Sequence, residues 1–333
     1  MTGQVLLPAQ IPLFSTYHYQ VIAGVAAAAN PTYLNWYYNN CIMLQCGKVF
    51  LRGCPTPHLN VFKTDVGAMD FLEQIPYNLL FIREDVHKLI KRILQEKFYV
   101  AFRGIDDYYI PGKSWYGQRH YDHDGLICGY DDEKGTYAMM AYDQNWRLRL
   151  FHTPQSAFEE GMESMIRDYY IMGEITAIRT RDTTLTLNVP KIKEGLTAYL
   201  ATDMKTDPIE KSKAPMGTVV HTYLCMYLDL LYTGEIPYEK ADYRILRLLW
   251  EHKNCMYLRI CAVEEALSLG RELRGAYERV LENAERMRTV YAKYCMRRRD
   301  DLLLTVKSQI QDMQKRETEI LGRLIERIER EGM

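Results

Sequence analysis

The stretch Asp106-Asp-Tyr-Tyr-Ile-Pro111, then His123-Asp-Gly-Leu-Ile-Cys-Gly-Tyr-Asp131, decides how this chain is read. The first piece is a polar loop and the second a strand led by His123. A turn at Asp131-Asp-Glu-Lys-Gly135 returns a second strand, Thr136-Tyr-Ala-Met-Met-Ala-Tyr142, which runs into Asp143. If Tyr130 and Thr136 close the hairpin as partners, the same register sets His123 opposite Asp143. Directly opposed side chains of an antiparallel pair lie about 4.5–5.5 Å apart at Cβ. An imidazole facing a carboxylate has its tautomer fixed and its cation stabilised, which is what a general base in acyl transfer requires.

Outward from this hairpin, the first half of the chain mixes helices and strands. Tyr17 to Ala29 reads as a helix stopped by Asn30-Pro31, and Thr32 to Cys46 as a second helix stopped at Gly47. Residues 48 to 80 are uneven, punctuated by Gly53, Pro55 and Pro57. Arg83 to Glu96 carries Val86, Leu89, Ile90 and Ile93 on one helical face. Phe98-Tyr-Val-Ala-Phe102 is a short strand. Ser156 to Met172 reads as a helix, and Glu174 to Val189 as one or two strands rich in Thr and Ile. From Lys191 the periodicity is helical: Val219 to Tyr232, Tyr243 to Cys261, Glu265 to Cys295 and Asp300 to Glu331, after a charged connector at Lys205 to Pro215. The last two are long and rich in Arg, Glu and Leu, as antiparallel bundle helices are, and helices of this kind also pair between chains as homo-oligomers. Two domains are expected, residues 1–190 and 191–333.

The 333 residues are 47% hydrophobic and 26% charged, which suits a packed core, and the net charge of −1 gives no support for nucleic acid held by bulk charge. No apolar run has the length of a membrane span, and the start lacks the basic and apolar regions of a signal peptide, so a cytoplasmic location without membrane embedding is expected. The eight Cys form no CxxC pair, so no metal site is expected, and buried small-hydrophobe roles suit them, Cys41 and Cys46 included. His120 reads as a loop histidine, and Arg297-Arg-Arg299 as a charge cluster at a helix end. The Asp106–Tyr109 loop reads as a cleft lining.

The segment from Arg83 to Met162 resembles the N-terminal domain of the butirosin-biosynthesis acyltransferase family, papain-like and peptidase C39-like folds found beside nonribosomal peptide assembly lines. The shared order is a helix, a short strand, the acidic "D-x-Y-Y-x-P" loop, the His-led "G-Y-D" strand and a strand ending in Asp, here Asp106 to Pro111, His123 to Asp131 and Asp143. Thr153-Pro-Gln-Ser-Ala-Phe-Glu-Glu160 looks like the family's next element. Leu248-Leu-Trp-Glu-His-Lys253 with Arg259 is similar to an "E-H-K…R" helix of members that accompany peptide synthetases.

The resemblance implies an α+β fold: a papain-like domain followed by an all-helical domain. It implies amide formation from a carrier-protein thioester, with the phosphopantetheine arm of an acyl or peptidyl carrier protein presenting the acyl group, a small-molecule amine accepting it, and no bound cofactor. The family's nucleophile is a Cys at the leading end of the first helix, where the helix dipole favours a thiolate. Here that end, near Phe14-Ser-Thr-Tyr-His18, has no Cys. The matching roles fall on Thr16 as nucleophile, Gln10 at the oxyanion position, His123 as base and Asp143 as its orienter. A non-catalytic accessory protein binding a carrier or a peptide synthetase, and a thioester or amide hydrolase, are the alternatives.

Overall fold

The computed structural model describes residues 3–52, 55–81, 85–169, 173–201 and 214–332. In chain order the elements are β1 (Gln4–Leu6), α1 (His18–Ala27), α2 (Tyr33–Asn40), β2 (Leu44–Gln45), β3 (Asn60–Val61), β4 (Leu72–Asn78), α3 (Val86–Gln95), β5 (Tyr99–Asp106), β6 (Asp122–Asp131), β7 (Thr136–Tyr142), β8 (Leu148–Pro154), α4 (Gln155–Tyr169), β9 (Glu174–Thr180), α5 (Val189–Leu200), α6 (Val220–Tyr232), α7 (Arg244–Ala266), α8 (Glu272–Arg297) and α9 (Asp300–Arg330). The architecture is α+β, with an antiparallel sheet and a C-terminal helical region. Two compact units result, each made of two segments: residues 1–33 with 64–184, and residues 34–63 with 185–333. The sequence reading drew one cut, at residue 190; the structure also groups 34–63 with the helical segment. Most of the 205–215 connector, and Cys54, lie outside the described residues.

The first unit is a seven-stranded sheet in the order β4-β9-β5-β6-β7-β8, with β1 added to β6. Its central strands β5, β6 and β7 are buried almost throughout, so their sequences read as apolar runs rather than clean alternations. One face packs Val100, Phe102, Ile127, Tyr137 and Met139 against Leu89, Ile90 and Ile93 of α3 and Phe158 and Met162 of α4. The other face takes α1, which contributes nothing to that core; Tyr142, alternate to Tyr137 and Met139, sets its ring 5.3 Å from His18. Sequence reading missed β4, whose Pro76 suits an edge strand because an edge residue needs no ladder donor.

The β6–β7 hairpin forms with one change from the expected register. Tyr130 stands opposite Tyr137 and Asp131 opposite Thr136, one residue off the expected register. A bulge at Cys128 then restores the expected pairing at Ile127–Met139 and Leu126–Met140. Beside the bulge β1 crosses at contact distance: a Cβ on Gly129 would lie 2.3 Å from the Val5 carbonyl oxygen. Only glycine admits that approach.

The second unit holds α2, the short β2–β3 pair and α5 to α9. The expected helix through Cys46 ends at Asn40, and Leu44–Gln45 pairs with Asn60–Val61 instead. The helix expected from Glu265 begins at Glu272, after a break in which Ser268 takes φ 53°. Helix α7 is enclosed: the consecutive residues Glu251, His252 and Lys253, and Arg259, are all buried. Arg259 donates to the carbonyls of Tyr38 (2.7 Å), Tyr37 (3.3 Å) and Cys41 (2.8 Å), satisfying the end of α2. Lys253 Nζ lies 2.7 Å from Glu317 Oε2, and Glu317 also accepts from the Tyr199 hydroxyl (3.0 Å) and the Tyr277 hydroxyl (2.5 Å). His221 Nδ1 donates to the Thr218 carbonyl at 2.8 Å, and its Nε2 sits 3.7 Å from Glu317. Among the described residues no helix is long and apolar enough to cross a membrane.

Two predictions follow from packing. Gly129→Ala is expected to lower unfolding free energy by about 1–3 kcal/mol, because β1 must retreat from β6. Gly322→Ala, inside α9 where an added Cβ meets nothing within 4 Å, is expected to raise it by about 0.5–1 kcal/mol. Urea midpoints of the two variants should therefore move in opposite directions.

A pH dependence follows from the buried network. Burial, helped by the Lys253 charge, lowers the His221 pKa from 6.5 to about 4, while Glu317 and the Thr218 carbonyl oppose the shift. His252 is pushed down by the same two causes. Between about 4 and 6.5 the unfolded chain binds a proton at His221 that the folded one refuses. Stability is therefore complete above 6.5 and is lost as pH falls toward 4, by about 3 kcal/mol for His221 alone. Below 4.5, Glu317, held down by Lys253, adds a loss of the same sign. His221→Gln should flatten the profile between pH 6.5 and 4 when helix content is followed in urea; an unchanged slope would remove His221 as the cause.

Candidate active site

Asp106 ends β5 and anchors the loop that follows. Its buried carboxylate accepts from the Tyr108 N–H (3.1 Å), the Tyr121 N–H (3.2 Å), the Ser164 hydroxyl on α4 (2.8 Å) and His120 Nδ1 (2.6 Å). Both ends of the 107–121 loop are thus tied to one side chain. His120, read as a loop histidine, is half of a fixed pair, its ring stacked 4.4 Å from Tyr108. Just upstream, β5 carries a bulge between Phe102 and Ile105, where Gly104 takes φ 68° and donates to Asp124 at 3.3 Å. A non-glycine residue is strained in that conformation, and bulges of this kind re-aim the residues after them.

A short 3-10 turn, Asp107–Tyr109, begins directly after Asp106. Asp107 is buried, with Oδ2 2.5 Å from His123 Nδ1 and Oδ1 3.3 Å from Lys113 Nζ. Lys113 is buried too: burial pushes its ammonium pKa down, while Asp107 pulls it back up, with a net lowering. A carboxylate acceptor requires a proton on Nδ1 of His123, so in the neutral ring the lone pair is on Nε2. That nitrogen makes no hydrogen bond among the described residues. The ring lies 4.8 Å from His18, the first residue of α1, and 4.7 Å from Tyr121. His18 packs edge-on to Tyr142, whose hydroxyl donates to the Ser15 carbonyl.

The structure therefore brings His123 to the leading end of α1, but with a different carboxylate from the one expected. Asp143 forms the turn between β7 and β8: it accepts from the Asn145 N–H (2.8 Å) and the Arg147 N–H (3.0 Å) and pairs with Arg149 (2.8 Å). Asp residues hydrogen-bond their own following backbone in turns, and that local competition claims Asp143. The β6–β7 ladder stops at Leu126–Met140, and at its start β6 pairs with β5, His123 opposite Ile105. Helix α1 starts at His18, not at Thr16. Thr16 is buried two residues upstream, and no hydrogen bond links it to His123. Gln10 is exposed and makes no hydrogen bond among the described residues. Gln20 is the buried glutamine here, its Oε1 closing the start of α1 on the Tyr17 N–H at 3.2 Å.

Asp107, Lys113 and His18 are the residues that sequence reading passed over. A signal existed for Asp107: two adjacent acids end a strand, and two histidines open its antiparallel neighbour. Burial raises the Cys46 and Cys128 thiols to about 12, and it raises those of Cys225, Cys255, Cys261 and Cys295 as well. Among the described residues no three of His, Cys, Asp and Glu group as metal ligands. No protein-family model and no curated protein matches the chain.

The arrangement can take a proton at one defined atom, His123 Nε2, and hold the resulting imidazolium against Asp107. In ¹⁵N spectra at neutral-ring pH, His123 is expected as the Nδ1–H tautomer. Asp107→Asn should shift that tautomer balance, whereas Asp143→Asn should leave it as it is. A shift in the Asp143 variant alone would return the orienting role to Asp143.

Proposed function

We propose that the first unit is a papain-like acyl-transfer enzyme of natural-product biosynthesis, which makes an amide from a carrier-protein thioester with His123 as general base. The observation that carries this reading is the buried Asp107–His123 pair, its open Nε2 at the leading end of α1. The phosphopantetheine arm of the carrier presents the acyl group and a small amine accepts it. The amine nitrogen attacks the thioester carbon and gives its proton to His123 Nε2. The tetrahedral intermediate then collapses, the C–S bond breaks, and the leaving thiolate takes the proton from the imidazolium. Asp107 holds the ring through both transfers.

Direct attack by the amine is preferred to an acyl-enzyme on Thr16. His123 receives no hydrogen bond from the Thr16 hydroxyl, and the first position of α1 is an imidazole, His18. The test uses acyl thioesters of a phosphopantetheinylated carrier protein with a small amine, read by intact mass and by amide formation. His123→Ala and Asp107→Asn are expected to slow amide formation by roughly 10²–10⁴-fold, and Asp143→Asn to leave it within a few-fold of wild type. No acyl adduct should build up on the protein. An adduct lost in Thr16→Val would restore the acyl-enzyme route. Release of free acid without amide would make the protein a hydrolase. Carrier binding without turnover would make it an accessory protein.

A further inference from the structure

The loop that supplies Asp107 also carries a cation within about 10 Å of the reacting ring. Arg119 is exposed, its guanidinium 5.6 Å from the Trp115 ring and 5.7 Å from the Tyr121 ring. Its backbone N–H is tied to the Trp115 carbonyl at 3.2 Å. No carboxylate pairs with it among the described residues, whereas Arg149 pairs with Asp143 and Arg167 with Asp168. The Tyr121 ring that touches Arg119 is the one that packs on His123, 4.7 Å away. Two steps of ring contact thus bound the distance from guanidinium to imidazole at about 10 Å.

We infer that Arg119 is the anchor for a carboxylate on the amine acceptor, so that the acceptor class is the amino acids. The inference rests on the acyl-transfer reading and adds the acceptor to it. A guanidinium resting against two adjacent aromatic rings gives up part of the rotamer freedom that makes an exposed Arg a weak partner, and its planar fork matches a carboxylate. The 10 Å bound decides between anions. An amino acid places its carboxylate and its amine a few bonds apart, which fits a cation and a base this close. The phosphate of a carrier arm is separated from the thioester by the whole length of the pantetheine chain, which does not. Asp106 and Asp107 are both committed, to the loop and to His123 and Lys113, so neither competes for the guanidinium.

The experiment compares L-alanine, L-alaninamide and hydroxylamine as acceptors of the same carrier-bound acyl thioesters, in wild type, Arg119→Gln and Arg119→Lys. Wild type should favour L-alanine over its amide in kcat/KM, chiefly through KM. Arg119→Gln should collapse that preference by roughly 10–100-fold, the range for a hydrogen-bonded charge, and Arg119→Lys should keep part of it. Acyl transfer to hydroxylamine with no preference for the carboxylate, or a preference unmoved in Arg119→Gln, would overturn the anchor and leave the acyl-transfer reading standing. No transfer to any of the three acceptors would overturn both.

Discussion

The burial of the Asp106 carboxylate is the constraint from which the rest of the site follows. A charged carboxylate removed from water costs several kcal/mol unless every oxygen finds donors. Asp106 finds four, from the start of its loop, the end of its loop, the His120 ring and helix α4. The loop therefore leaves and rejoins the sheet at fixed points, and Asp107, the next residue, is delivered to His123; further along, the turn after β7 holds the same loop, where the Gln144 N–H donates to the Gly112 carbonyl at 2.7 Å. The upstream bulge, with Gly104 in a conformation other residues resist, is the backbone adjustment that lets β5 end in this way. Lys113 Nζ then lies 3.3 Å from the second buried carboxylate, on the oxygen that does not face the imidazole.

How much of this could be read beforehand depends on the range of the interaction concerned. Strands β5 to β7 and helices α3, α4, α6 and α9 fall close to their expected spans, because apolar period and turn residues are local signals. Strand β4 was missed since its buried pattern is irregular and it holds a proline. His123 was found from its place at the head of a strand. Its partner was misassigned because the register argument assumed one unbroken ladder from the turn to His123. The ladder has a bulge at Cys128 and ends before His123 is reached, and the true partner comes from the strand on the other side. Nothing in one sequence reports which neighbour a strand end keeps. The break between α7 and α8 was available in part, since Gly270 sits inside it, but the helical pattern on both sides concealed it.

The helical unit buries charges that a helix ordinarily leaves to solvent. Glu and Lys on a helix are usually solvated, yet Glu251, His252 and Lys253 are covered on three successive positions of α7. That is possible only when neighbours enclose the helix and each charge is matched. Lys253 meets Glu317 of α9, Arg259 meets the open carbonyls of α2, and Glu251 lies 3.4 Å from Arg247. Buried ion pairs add little net stability compared with apolar packing, but breaking one is expensive. They act on the choice among packings: a slip of α7 by one residue would strand several charges at once. The "E-H-K…R" pattern is therefore accounted for by packing, without a second site.

The absence of a cysteine at the first turn of α1 removes less chemistry than it suggests. A thiol nucleophile divides acyl transfer into two steps, and the base and the field that stabilises the oxyanion serve both. On the proposed reading the Asp107–His123 pair supplies the base. The leading end of α1 would supply the field, because a helix dipole depends on backbone and not on side chain, and no acidic residue in the first turn opposes it. A carrier-bound thioester is already activated toward amines. Once an amine is held against Nε2, proximity substitutes for the covalent intermediate, since a positioned second reactant gains the effective concentration that an acyl-enzyme otherwise secures. What such a site needs in place of a nucleophile is a means of holding the acceptor, which the proposed reading gives to Arg119 against the Tyr121 ring.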